Sequence, residues 1–325
     1  MISSPTGALP ERDEEWAERE ARSTFKPKDV EEPIDFWMNR PLAHYLVRFF
    51  APLPITPNQV TLLSGLVGLL AGVVIATAPL GPSLQVPLGG VLLYLSILLD
   101  CADGQLARLR GETSMVGRML DGCVDVVPTG AVFVGFFVFM WRAGYDPIFL
   151  NVVGWAAGYC LKWHVHSYDH AKNLYLANVL PPSERSKPLP TYDEIRRERD
   201  AHRERGDAFG ALVLSGFLRF TRAQRTGFQA TRIGLGLPAP ATGAERAYYR
   251  DQFRNTMRLW SYNGLAIHLT FLLIAAAFTP FYRGAALVSW FFILGPMNLL
   301  TVYLRTTERR IEESLQVELL AAEQQ

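Results

Sequence analysis

LLDCADGQLARLRGETSMVGRMLDGCVDVV, residues 98–127, decides the fold of this chain. It is flanked by strongly apolar runs, VPLGGVLLYLSI (86–97) before it and PTGAVFVGFFVFMW (128–141) after it. Continued into the quoted stretch as helices over 85–109 and 116–142, both pass the length of about 20 residues that crosses a hydrocarbon core of about 30 Å. Four aspartates nevertheless stand at their shared end: Asp100, Asp103, Asp121 and Asp125. A charged side chain at the centre of a membrane helix costs about 2.5–3.5 kcal/mol on insertion scales, and a position near the helix end lowers that cost without removing it. Something must compensate.

The spacing indicates what does. Asp100 and Asp103 are three residues apart and share one helix face, which Ala107 continues. Asp121 and Asp125 are four apart, with Gly117 one turn earlier. A turn at 110–115 makes the two helices antiparallel neighbours, so the carboxylates converge at one depth. Hard oxygen ligands at this density suit Mg²⁺ or Mn²⁺ rather than zinc. Four carboxylates are enough for two divalent ions about 3.5–4 Å apart, an arrangement suited to displacement at phosphorus. Gly104, Ala107 and Gly117 leave the acidic face open for a ligand. Arg108 adds a planar cation matched to phosphate oxygens, with a structural or lipid-headgroup role as its alternative. A purely structural ion pair closing the helix packing is the alternative for the cluster as a whole, but two charges would suffice for it.

Working outward, the chain reads as an all-α integral membrane protein. The 325 residues carry a formal charge of +1, but Lys, Arg, Asp and Glu crowd into residues 1–50, 173–259 and 305–325. Six spans are expected between them, at 59–79, 85–109, 116–142, 147–172, 258–279 and 284–305. The links 80–84, 143–146 and 280–283 are nearly uncharged, so the positive-inside rule places both termini, the 110–115 turn and the acidic site on the cytoplasmic side. A bacterial inner membrane fits this pattern. The first residues, MISSPTGALPERDEEWAERE, lack the basic start and apolar stretch of a signal peptide. Cys101, Cys123 and Cys160 are too few and scattered for a disulfide framework.

The expected organisation is a polar tail (1–32), a juxtamembrane amphipathic helix (33–58), spans one to four (59–172), a cytoplasmic insert (173–257), spans five and six (258–305) and a polar tail (306–325). Within the insert, 192–207 reads as a solvated charged helix and 208–222 as an apolar segment too short to span, suited to the membrane interface. GLGLPAPATG at 234–243 reads as a loop and not as a phosphate-binding turn.

The stretch Asp100–Asp125 has the pattern D-x₂-D-G-x₂-A-R-x₈-G-x₃-D-x₃-D, which resembles the signature of the CDP-alcohol phosphatidyltransferase family. ITPNQVTLLSG at 55–65 is similar to the P-N-x-x-T segment that opens the family's first span. The resemblance implies a phosphatidyl-type transfer from a CDP-linked lipid donor, such as CDP-diacylglycerol, to a hydroxyl acceptor, with release of CMP. It implies that Asp100, Asp103, Asp121 and Asp125 hold two Mg²⁺ or Mn²⁺ ions and that Asp125 is the general base. Asn58, Thr61, Gly104, Ala107, Arg108 and Gly117 resemble the positions that receive the nucleotide. For Thr56-Pro57-Asn58, a plain helix start stands beside that reading. The resemblance also implies a homodimer and partners confined to lipids and small molecules, with no nucleic acid. The long insert is a departure from a minimal family member and touches the acceptor side.

The acceptor is the least legible part. His166, Asp169, His170 and Lys172 end span four, Arg254, Arg258, Tyr262 and Asn263 open span five, and Asn298 lies in span six. Lys172 and Arg258 suit a phosphorylated acceptor, although basic residues are the norm at cytoplasmic helix ends. Inositol phosphate, glycerol phosphate, serine, inositol and a second lipid all stay open. An aspartate-rich membrane prenyltransferase is the nearest rival, and D-G-x₂-A-R with its spacing to Gly117 argues against it. An ion transporter would put carboxylates near mid-membrane in two repeated halves, which the sequence lacks. A catalytically silent scaffold would not need all eight motif positions intact.

Overall fold

A computed structural model describes residues 28–81, 83–181, 192–228 and 242–323, and these are helical with short connections. Helix α1 (Arg40–Phe50) follows a π-helical turn at Asp35–Asn39. It buries Ala43, Val47 and Phe50 while Trp37, Tyr45 and Phe49 point outward. Apolar residues on the outer side of a charged helix suit an interfacial position. The helix ends at Phe50 rather than reaching residue 58, because Pro52 and Pro54 follow and cannot continue it.

Helix α2 (Pro57–Thr77) starts with a capping box. Thr56 Oγ1 accepts the Gln59 N–H at 3.3 Å and Gln59 Oε1 accepts the Thr56 N–H at 2.9 Å. Helix α3 (Gln85–Arg110) stops at Gly111, whose φ of 69° lies in the left-handed region that ends helices. Arg110 then ties this end to the preceding connection. Its guanidinium donates to the carbonyls of Ile55 (2.5 Å), Leu53 (2.9 Å), Ala51 (3.1 Å) and Phe50 (3.2 Å). These acceptors include the orphan carbonyls at the end of α1.

Helix α4 (Met115–Val124) is capped by Ser114 and gives way at Asp125 to helix α5 (Val126–Arg142). The break has an identifiable cause: Pro128 has no N–H to give to the Val124 carbonyl. Helix α6 (Pro147–Val179) follows, then α7 (Tyr192–Glu204) and α8 (Ala208–Phe228). Helix α9 (Gly243–Trp260) passes through a tight turn at Ser261–Asn263 into α10 (Leu265–Phe278). Helix α11 (Ala285–Phe292) passes through a π turn holding Pro296 into α12 (Asn298–Glu323).

Among the described residues, five helical segments are long and apolar enough to cross a membrane: Pro57–Thr77, Gln85–Arg110, Met115–Arg142, Gly243–Phe278 and Ala285–Val317. These cover five of the six expected spans. The expected span 147–172 lies in α6, which is long enough at 33 residues but carries Asn151, Lys162, His164 and His166 and so falls short in apolarity. Helices α6 and α9 also run past the expected limits, so the segment between them is 180–242 rather than 173–257. The expected charged helix at 192–207 is α7, and the apolar segment after it is α8. The expected tail 306–325 continues α12 through Glu323. Most of GLGLPAPATG lies outside the described residues, as does most of the tail 1–32.

Helix α2 is central, packed on α3 and on the α4–α5 arm. Small residues allow the approach: a Cβ placed on Gly135 of α5 would stand 2.5 Å from the Gly72 carbonyl oxygen of α2. The main core, with Leu93, Phe136, Leu150, Ala157, Leu272 and Trp290, joins α3, α5, α6, α10 and α11. The Phe133 ring stacks on Trp290 at 5.6 Å.

Residues 29–32 clip the two halves together. Asp29 accepts from Arg250 at 2.7 Å, Arg254 at 3.0 Å and the Tyr175 hydroxyl at 3.2 Å. Burial pushes its carboxyl up, but Arg250 and Arg254 outweigh that and hold it below the usual range. The Val30 carbonyl accepts the Tyr168 hydroxyl at 2.5 Å, and Glu31 pairs with Arg40. Glu32 accepts the N–H groups of Ala266 (2.8 Å) and Ile267 (3.3 Å), capping α10. Burial, with Asp35 nearby, pushes the Glu32 carboxyl up to about 8 against the pull of those N–H groups and of Lys172. Between pH 4.5 and about 8 the folded protein therefore keeps a proton that the unfolded chain has released. Glu32 thus makes stability fall as pH rises through that window. Glu32→Gln keeps a side-chain acceptor and removes this contribution, so thermal melts in detergent should show a flatter pH dependence than wild type.

Candidate metal and nucleotide site

The site forms where α3 and α4 meet over the start of α2. Asp100 and Asp103 project from the last turns of α3, and Asp121 from α4. One carboxylate oxygen from each of the three lies within 4.8 Å of the others. Asp125, at the break between α4 and α5, is within hydrogen-bonding reach of Asp100 and near Asp121 and Asp103. The convergence expected from the spacing is present for Asp100, Asp103 and Asp121, with Asp125 beside them and outside that group of three. Asp103 is buried, and its Oδ2 accepts from the Thr61 hydroxyl of α2 at 2.5 Å.

These residues fit divalent cations on two grounds. Four like-charged groups are gathered where water is scarce, an expensive arrangement without a counter-charge. Among the described residues, Asp125 Oδ1 is also buried with no hydrogen-bond partner, which leaves a hard oxygen unsatisfied next to the cluster.

A cavity of about 190 Å³ opens beside the carboxylates. Its lining includes Asp103 and Asp121 and all six residues expected on the nucleotide side: Asn58, Thr61, Gly104, Ala107, Arg108 and Gly117. At the start of α2, Thr56 caps the helix, as a plain helix start requires, and Asn58 lines the cavity. Gly104 is open as expected, with Arg108 Nη1 the nearest atom to an added Cβ at 3.4 Å. Gly117 differs: an added Cβ would meet Asn58 Oδ1 at 2.9 Å and Ser114 Oγ at 3.1 Å, so this glycine lets two cavity walls touch. Arg108 lies within electrostatic reach of Asp103 and of the Glu31–Arg40 pair.

Sequence reasoning missed Glu112, Thr113, Ser114 and Arg118, which also line the cavity. The Ser114 cap was legible as a Ser just before an apolar helix. Arg118 was legible as one turn before Asp121. The acceptor-side residues are less gathered. Lys172 pairs with Asp169 at 2.5 Å, Arg254 bonds Asp29, and Arg258 stands 3.8 Å from Asp29. The histidines do not form one cluster. His164 Nδ1 lies 3.1 Å from Nε2 of His268, and its Nε2 lies 3.2 Å from Oδ1 of Asn298, so it joins α6 to α10 and α12.

Residues 54–165 match the family model for CDP-alcohol phosphatidyltransferase, a segment holding the four aspartates and the six cavity residues. Over this segment the chain is similar to that family. Its relatives include a phosphatidylinositol phosphate synthase from Streptomyces avermitilis, 36% identical over 133 residues, covering 41% of this chain and 49% of the relative. A second, from Corynebacterium glutamicum, is 29% identical over 140 residues, 43% and 49% of the two chains. An archaetidylinositol phosphate synthase from Pyrococcus horikoshii is 33% identical over 132 residues, 41% and 61%. The matches thus span about half the length of the first two relatives.

The Thr61–Asp103 hydrogen bond generates a direct test. Outer partners of metal ligands are worth roughly 10- to 100-fold in metal affinity. Thr61→Val keeps the shape and removes the donor, and should weaken Mn²⁺ binding by about tenfold, read from the free Mn²⁺ signal in electron paramagnetic resonance.

Proposed function

We propose that this protein transfers a phosphatidyl-type group from a CDP-linked lipid, CDP-diacylglycerol first, to a hydroxyl acceptor with release of CMP. The observation that carries this reading is the convergence of Asp100, Asp103 and Asp121 on the wall of a cavity lined by Asn58, Thr61, Gly104, Ala107, Arg108 and Gly117. The family match over the same segment supports it. In this reading Asp100, Asp103, Asp121 and Asp125 hold two Mg²⁺ or Mn²⁺ ions. When bound, such ions neutralise the donor diphosphate and stabilise CMP as a leaving group.

The chain's own residues do the rest. Arg108 and Arg118 bind phosphate oxygens. Thr61 fixes the orientation of Asp103. Asn58 and Gly117, packed closely together in the cavity wall, shape the space available to the nucleotide. The acceptor hydroxyl oxygen attacks the phosphorus bearing the lipid, the bond to the CMP oxygen breaks, and the hydroxyl proton passes to Asp125. The relatives' names make a phosphorylated inositol the first acceptor to try, with Lys172 and Arg258 as its candidate contacts.

We further read α6 as a sixth span. Its 33 residues extend about 50 Å, and Leu150, Val153 and Ala157 sit in the same core as the other spans. Six spans return the chain to the side on which it starts, and the Lys and Arg distribution makes that side cytoplasmic.

The test is CMP release by purified protein with Mn²⁺ and CDP-diacylglycerol across a panel of hydroxyl acceptors. CMP should appear with one acceptor class and vanish in Asp125→Asn, while that variant remains extractable and folded. Release of pyrophosphate from a prenyl diphosphate, with no CMP from the CDP-lipid, would reject the reading.

A further inference from the structure

Helix α4 is an unusual carrier for a metal site. It has 10 residues, fewer than an isolated helix needs to hold together. It is bounded by Gly111 and its loop on one side and by the Asp125–Pro128 break on the other. Its inner face presents Gly117 and Asp121 to the cavity. There Asp121 meets Asp100 and Asp103, and like charges push α4 away from α3. Helix α4 is the end of the arm that continues into α5, and it bears that push.

The backing comes from the insert. Val116 and Met119, on the outer face of α4, are buried in a cluster with Ile195 of α7 and Leu214 and Leu218 of α8. Met115, Tyr192, Val213 and Phe217 pack around it. Every member belongs to α4, α7 or α8, so in this cluster the α7–α8 hairpin packs on α4. Leu214 is fully buried at its centre. The hairpin is itself fixed at its turn. Asp207 Oδ1 accepts the Gly210 N–H at 2.9 Å, and Asp207 Oδ2 lies 2.7 Å from His202 Nδ1.

We propose that the α7–α8 hairpin is a buttress for the metal site, in which Leu214, Leu218 and Ile195 are positioning residues that hold Asp121 and Asp125 against Asp100 and Asp103. The inference rests on the metal-site reading above and gives the insert a role in it. It requires that loosening the hairpin weaken cation binding before any donor or acceptor is present.

The experiment titrates Mn²⁺ into full-length detergent-purified protein, reading free Mn²⁺ by electron paramagnetic resonance, with a melting temperature for each variant. Leu214→Ala should weaken Mn²⁺ binding by about tenfold, the size of other supporting-shell effects. Leu214→Met should restore it, and Leu212→Ala on the exposed side of α8 should bind like wild type. If Leu214→Ala does not stay folded, Ile195→Val removes a single methylene from the same cluster and should still shift the titration in the same direction. A folded Leu214→Ala or Ile195→Val with wild-type Mn²⁺ affinity overturns the buttress. Wild type that binds Mn²⁺ but releases no CMP overturns the transfer reaction alone, and wild type that binds no Mn²⁺ overturns both.

Discussion

Four carboxylates share one small volume at the end of a pair of membrane helices, and that repulsion is the constraint on which the rest of the structure depends. Gathering these like charges is costly unless a counter-charge stands among them. Much of the surrounding architecture acts to keep them together despite this. Helix α2 lies under both acidic arms and bonds Asp103 through Thr61. Arg110 fixes the end of α3 to four carbonyls of the α1–α2 connection. Glycines on α2 and α5 bring backbones close enough for the α4–α5 arm to return over α2.

The same constraint explains why the site is built from short and interrupted elements. A continuous straight helix through 115–142 would carry Asp121 and Asp125 on one line. Helix α4 gives way to α5 at Asp125, where Pro128 leaves the Val124 carbonyl without its helical N–H donor. The cavity then opens beside the cluster rather than through it, walled by Asn58 and Gly117 on one side and Gly104 and Arg108 on the other.

The acidic cluster was legible in the sequence because helical periodicity is strict. Asp100 with Asp103, and Asp121 with Asp125, have one geometric consequence each once the chain is helical. Apolar runs bounded by charge made five spans equally legible. Their ends were not, since α6, α9 and α12 continue as polar helices beyond the apolar stretch and hydropathy carries no signal there. The fourth expected span was readable only as a length, because Lys162, His164 and His166 dilute its apolarity. What escaped entirely was long-range: the clip of Asp29, Val30, Glu31 and Glu32 onto α6, α9, α1 and α10 joins residues more than 200 positions apart in its farthest contacts. No local pattern marks such pairs. The role of Gly117 was misjudged for a similar reason, since its neighbour Asn58 comes from a different helix.

The central claim is that the four aspartates form one binuclear cation site. The most direct measurement is the stoichiometry of Mn²⁺ bound to the purified wild-type chain, with the electron paramagnetic resonance spectrum of the bound ions. The account predicts two ions per chain with the spectrum of a coupled pair. Failure to bind Mn²⁺, or binding of isolated, uncoupled ions, would contradict it.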